Sequence, residues 1–285
     1  MTGRTEELHR HLAFSLLMGA LVLLAFGGPL RAQSGGEVLE TALERYQERM
    51  EGIEDYTVVQ EVMGLESATY FERTEVDGQS IFVPRSENGD PAGQSTSQNP
   101  YTEFRVLADR AQREGSQAVN GQETHVVTVT DFEGVDFWNP AEGGQMGSFT
   151  PERASFYIDT DEFLIRRVEI GGTTAMQGEE REITVIADFE DYRTVDGLLH
   201  PFVLDVSVEG LAGEMSSEER EELEGSLEEM RTQLEEMPAQ QREMAERMMS
   251  DQLERMETLL AQGTLDMTLQ VTELRVNEGP PDSDR

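Results

Sequence analysis

His125 and His200 are the only histidines beyond residue 32, and the chain has no cysteine. Those two facts remove most routes to side-chain chemistry. Without cysteine there is no thiolate nucleophile, no thiolate-bound metal and no disulfide. A histidine-built zinc site or a Ser–His–Asp triad needs several such groups brought together. Here His125 borders a strand expected from Thr124 to Asp131, and His200 precedes Pro201 at the start of another, so both are expected to be structural or exposed. No Gly-x-Ser-x-Gly, His-Glu-x-x-His or phosphate loop occurs. The acidic pairs Asp159/Asp161 and Asp191/Asp196 could act as general acid and base. Among 58 acidic residues, however, such pairs follow from composition, and these sit at turns, where aspartate is favoured. Calcium at those turns would be unspecific. The methionines of 213–262 could offer thioethers to Cu(I), but most keep core spacing and no histidine accompanies them. The expectation is no catalytic residue, no metal and no cofactor, hence no enzyme.

What surrounds these residues is acidic and carries export signals. Asp and Glu number 58 against 22 basic residues, all of them arginine, for a net charge of -36. Nucleic acid is excluded as a partner, because phosphate binding needs local cation excess. Anionic lipid surfaces are disfavoured for the same reason, and the self-repulsion suggests a salt-rich habitat. Residues 12–26, LAFSLLMGALVLLAF, are an apolar run preceded by Arg4 and Arg10 and followed by Gly27-Gly28-Pro29 and Leu30-Arg31-Ala32. The run is short for a membrane span and suits a signal-peptide core. Residues 1–32 are expected to be a signal peptide cleaved near Ala32, and the product periplasmic. An uncleaved N-terminal anchor is the alternative, since Glu6 and Glu7 weaken the basic start. A lipobox needs cysteine, so none exists.

The elements that must position anything in this chain are strands. Between Arg153 and Gly210, Ile183, Val185, Ala187 and Phe189 share one face, and Phe202, Leu204, Val206 and Val208 repeat the pattern beyond Asp196-Gly197. A period of two is what a sheet with one buried face requires. Asp-Gly and Asn120-Gly121 supply the positive φ of hairpin turns. Upstream, Val38–Ile53 carries an apolar stripe at helical spacing, with Gly35-Gly36 as a short exit before it. Strands are expected near 56–64, 67–76, 79–84, 116–120 and 122–131, a loop over 86–100, and 101–112 fits strand or helix equally. The fold class is mainly β (α+β): a strongly curved antiparallel sheet of about nine to eleven strands. The N-terminal helix would cross its concave face.

The phrases FYIDTDEFLIRRVEI and FEDYRTVDGLLHPF resemble the C-terminal half of the LolA/LolB-like outer-membrane lipoprotein-sorting proteins. VNGQETHVVTV (119–129) resembles that family's central strand, and VLETALERYQERMEGIEDYTVVQEV (38–62) its opening helix and first strand. A closing strand is expected at 264–277. The resemblance implies an incomplete β-barrel over 33–285, with helices across its open side and a lipid-sized apolar cavity between. It also implies a carrier that shields the acyl chain of a lipid or lipoprotein, in outer-membrane lipoprotein sorting. No motif carries that family's cargo-handling residues over by position. Alternation alone nominates Phe156, Ile158, Val185, Phe189, Phe202, Leu204 and Val206 as cavity wall.

Two insertions depart from the plain sheet. The first, 133–151, gathers Phe137, Trp138, Met146 and Phe149 between glycines and prolines. Loops are ordinarily polar, so these four read either as a lid over the cavity mouth or as a plug filling it. The second, 213–262, carries a heptad seam through Leu223, Leu227, Met230, Leu234 and Met237. A capping box at Ser216/Glu219 and a restart at Pro238 make it an αα-hairpin. That hairpin could pack on itself, wall the cavity, or bind a protein partner or a second copy. If it is the working surface over a filled core, the protein is instead a periplasmic interaction or envelope-stress sensor module.

Overall fold

The computed structural model describes residues 33–62, 64–76, 79–85, 100–133, 135, 149–176, 179–210, 217–236, 258, 260–261 and 263–280. Its first helix, α1 (Gly35–Arg49), begins one turn earlier than the apolar stripe suggests. Ser34 caps it: the hydroxyl accepts from the Glu37 N–H at 3.2 Å while the Glu37 carboxylate accepts from the Ser34 N–H at 2.7 Å. That reciprocal box satisfies two donors the first turn would otherwise leave bare. Gly35 and Gly36, expected as an exit segment, are helical instead. A Cβ on either would lie 2.7 or 2.6 Å from the backbone of Ala111 or Ala108, so only glycine lets this turn seat there.

Ten strands follow in sequence: β1 (Asp55–Val62), β2 (Leu65–Val76), β3 (Gln79–Arg85), β4 (Gln112–Val119), β5 (Gln122–Val129), β6 (Phe149–Asp159), β7 (Ile165–Met176), β8 (Glu179–Val195), β9 (Leu198–Glu209) and β10 (Leu265–Val276). They form one sheet in the order β3-β2-β1-β10-β9-β8-β7-β6-β5-β4, each neighbour antiparallel. β3 and β4 are its two edges, so the barrel stays open. Asn120 (φ 49°) with Gly121 (φ 81°), and Asp196 (φ 48°) with Gly197 (φ 91°), make the hairpin turns their dipeptides announce. The ambiguous 101–112 stretch resolves into a 3-10 turn (Pro100–Glu103), the short helix α2 (Phe104–Ala108) and the start of β4.

Helix α3 (Ser217–Glu236) is the first half of the expected hairpin, with Leu227 and Leu234 buried two turns apart. Residues 258, 260 and 261 are helical as well. Most of the second helix, Ser216 and Met237 lie outside the described residues. The insertion enters between β9 and β10, which still pair directly from Leu265↔Val208 to Gln270↔Val203.

The core divides in two. A larger cluster joins Val38, Leu39, Ala42 and Leu43 of α1 and Phe104 and Leu107 of α2 to the inner faces of β5 through β9. A smaller one gathers Met50, Ile53, Tyr56, Val58, Phe71, Phe82, Leu198, Phe202, Leu274 and Val276 at the other end. A fifteen-residue helix is about 22 Å long. Ten strands at about 4.8 Å spacing span about 43 Å. The helix is thus about half as long as the sheet is wide, and it buries Val38, Leu39, Ala42 and Leu43 in the larger cluster.

Candidate functional site

A cavity of about 220 Å³ lies between the two clusters. Its floor is built from rungs that cross three strands. Phe189 (β8) faces Leu204 (β9), which faces Leu269 (β10), and beside them Val206 faces Met267. Val58, Phe71 and Val271 continue the apolar wall toward β2. Tyr46, Arg49 and Met50, the last turn of α1 and its cap, form the roof. The far side is Pro100 and Tyr101 of the 3-10 turn with Leu164 and Ile165 at the β6–β7 turn.

Two tyrosines fix that far side. The Tyr101 hydroxyl accepts from the Ile165 N–H at 3.0 Å, and the Tyr192 hydroxyl donates to the Ile165 carbonyl at 2.6 Å. Tyr46 stacks on Tyr101 with ring centroids 4.6 Å apart. Burial pushes the Tyr101 phenol up to about 12 and raises Tyr192 well above its ordinary range. Both are neutral at any physiological pH, Tyr101 as the acceptor and Tyr192 as the donor. Behind them the buried Asp159 carboxylate accepts from Arg166 at 2.9 Å and from the Glu162 N–H at 2.7 Å, while the Arg166 guanidinium lies 5.0 Å over the Tyr192 ring.

The remaining polar groups of the cavity are less provided for. Gln60, Thr69 and His200 line it without a side-chain hydrogen bond among the described residues. The His200 ring stands 6.2 Å from Tyr56, and burial lowers its pKa to about 4. It is neutral at pH 7. Arg49 donates to the Glu162 carbonyl and forms no ion pair among the described residues.

Of the residues nominated by alternation, Phe189, Leu204 and Val206 line this cavity. Phe156, Ile158 and Val185 lie under α1 and α2 in the larger cluster, and Phe202 sits in the smaller one with the Arg193 guanidinium 4.5 Å over its ring. Phe149 opens β6, opposite Thr174, and packs partly buried on the larger cluster. Phe137, Trp138 and Met146 lie outside the described residues. Met267, Leu269 and Val271 belong to the alternating closing strand that the sequence pattern shows. Arg49, Tyr101 and Tyr192 have no such signal, since only the fold brings a helix end and two distant aromatics together.

His125 borders the Phe163 ring at 5.9 Å and is pushed down by burial and by Arg113. Asp161 is exposed at a turn, Asp191 is held by the Arg193 side chain, and Asp196 makes the β8–β9 turn. Among the described residues no three His, Asp or Glu side chains converge as metal ligands. Nor is any described helix long and apolar enough to cross a membrane.

No family model and no curated protein matches the chain. Solved structures do. A domain assigned to outer-membrane lipoprotein sorting, from Vibrio parahaemolyticus, is similar over 86% of this chain and 96% of its own, at 13% identity and a TM-score of 0.36. A DUF1329-family protein from Desulfovibrio piger aligns over 86% of this chain and 95% of its own, at 11% identity and a TM-score of 0.37. A LolA-superfamily protein from Nitrosomonas europaea aligns over 85% and 94%, at 10% identity and a TM-score of 0.33. Among the described residues this chain is an open antiparallel sheet with its N-terminal helix packed on one face.

Proposed function

We propose that this protein is an exported, non-catalytic carrier that buries the acyl chain of a lipid or lipoprotein in the cavity between α1 and β1, β2, β8, β9 and β10. Residues 1–32 act as its signal peptide and the periplasm is its compartment. Outer-membrane lipoprotein sorting is the process its fold fits. The observation that carries this reading is the apolar floor left open where α1 ends, made of Phe189, Leu204, Val206, Met267 and Leu269. Burial alone supplies the affinity: each ~100 Å² of chain removed from water contributes about 2.5 kcal/mol. Part of that gain is offset by the entropy of immobilising the ligand, so the complex holds and still releases.

Native mass spectrometry of the protein purified from a periplasm tests this directly. A co-purifying mass of lipid size, lost on denaturation, is the expected result. A clean apo mass, unchanged after incubation with lipid, rejects the carrier. Leu204→Trp fills the floor between Phe189 and Leu269 and should reduce the lipid-bound fraction severalfold while leaving the sheet folded.

A further inference from the structure

Arg49 is out of place on composition alone. Acids outnumber basic residues 58 to 22 in this chain, so a guanidinium without a carboxylate partner is the unusual case. Arg166, close by, has Asp159; Arg167 has Asp188 at 2.7 Å; Arg153 has Glu114 at 2.9 Å. Arg49 lines the cavity, gives one N–H to the Glu162 carbonyl and meets no carboxylate among the described residues. A guanidinium has five donors in a planar fork suited to a carboxylate or phosphate, and most of that fork is unused. Gln60, Thr69 and His200 line the same cavity with unused polar atoms. A cavity made only for hydrocarbon would not hold unmatched donors, because each one left unpaired on ligand binding is destabilising.

Resting on the carrier reading, we propose that the cargo is an anionic, single-chain amphiphile whose carboxylate or phosphate head pairs with Arg49 while its tail lies along Leu204, Val206, Met267 and Leu269. The head completes the hydrogen bonding of the guanidinium, and the neutral His200 leaves no second cation to compete for it. The cavity, at about 220 Å³, is below the range of roughly 300–1,000 Å³ typical of ligand pockets. That volume limits the cargo to a single chain, since several chains on one head would require the sheet to open further.

The test titrates the delipidated, exported protein with palmitate, hexadecyl phosphate and hexadecanol, and repeats it with Arg49→Gln and Arg49→Lys. The tail is the same in all three ligands, so only the head varies. Palmitate, hexadecyl phosphate or both should bind about tenfold or more tighter than hexadecanol, the gain expected of a charge-assisted bidentate contact. Which of the two is tighter identifies the head. Arg49→Gln should abolish that preference, and Arg49→Lys should keep part of it. Equal binding of all three ligands to the wild type overturns the proposal and leaves the carrier standing. An equal loss for all three in Arg49→Gln also overturns it, by making Arg49 a brace for the β6–β7 turn. Failure of every ligand to bind the wild type removes the carrier reading along with it.

Discussion

Asp159 shows how an acidic residue can be common in composition and still singular in place. It is 3% exposed, and its two oxygens are divided between Arg166 and the Glu162 N–H. Asp159→Asn keeps the volume but leaves Arg166 half-buried without its counter-ion; unpairing a buried charge destabilises by about 3 kcal/mol. The urea midpoint should fall accordingly, and the Tyr101–Ile165–Tyr192 side of the cavity should loosen with it. An unchanged midpoint would mean that solvent already screens the pair. His200 makes a pH-dependent prediction. Its folded pKa lies near 4, below the ordinary 6.5, because burial disfavours the imidazolium. Above about pH 6.5 both native and unfolded forms are neutral and nothing is lost. As pH falls from about 6.5 toward 4, the unfolded chain takes up the proton and the native one resists, so stability drops. His200→Leu removes that penalty. The difference in unfolding free energy between variant and wild type should therefore shift in favour of the variant by on the order of 3 kcal/mol by pH 4. A pH-independent difference would refute the linkage, since the carboxylates titrate alike in both proteins.

Elements are legible in sequence where the determinant is local. Asn120-Gly121 and Asp196-Gly197 hold positive φ at both positions and mark hairpins because few other dipeptides offer it. The start of α1 is not legible, because Gly35-Gly36 lower helix propensity and their justification, the backbone of Ala108 and Ala111, comes from far down the chain. The same limit applies to the candidate site. Alternation assigns Phe156, Ile158, Val185, Leu204 and Val206 to one face, but only the length and placement of α1 separate those beneath it from those left open. Gly171 and Gly172 in β7 give a sharp test of such non-local determinants. A Cβ on Gly172 would fall 2.2 Å from the Thr150 carbonyl oxygen and 2.9 Å from the Pro151 Cα, at an irregularity of the β6–β7 ladder. On Gly171 the nearest atom is 4.0 Å away. Gly172→Ala should lose about 2–3 kcal/mol, as overpacking against backbone does, and Gly171→Ala should stay within about 0.5 kcal/mol. Equal urea midpoints for the two variants would contradict this geometry.

At the scale of the whole molecule, charge sets how the parts hold together. With a net charge of -36, compaction works against self-repulsion that no local pairing removes. Outer-face pairs such as Arg167 with Asp188 are satisfied and partly exposed, and each contributes at most about 1 kcal/mol. Such pairs do little against that repulsion, and α3 is a densely acidic element. That helix carries nine glutamates against two arginines, with Glu224/Glu228 at the spacing where like charges destabilise a helix. The sheet, by contrast, is secured by two apolar clusters that salt does not weaken. Lowering ionic strength from about 1 M to about 0.01 M lengthens the screening distance from about 3 to about 30 Å. It should reduce the helical circular-dichroism signal while near-ultraviolet signals from the cavity tyrosines persist. Acidification to about pH 4 in low salt should restore the helix by protonating the glutamates. Deleting residues 214–262 should then leave a sheet whose melting temperature depends much less on salt. If the deleted protein keeps the full salt dependence, the repulsion is spread over the sheet and α3 is not its weak point.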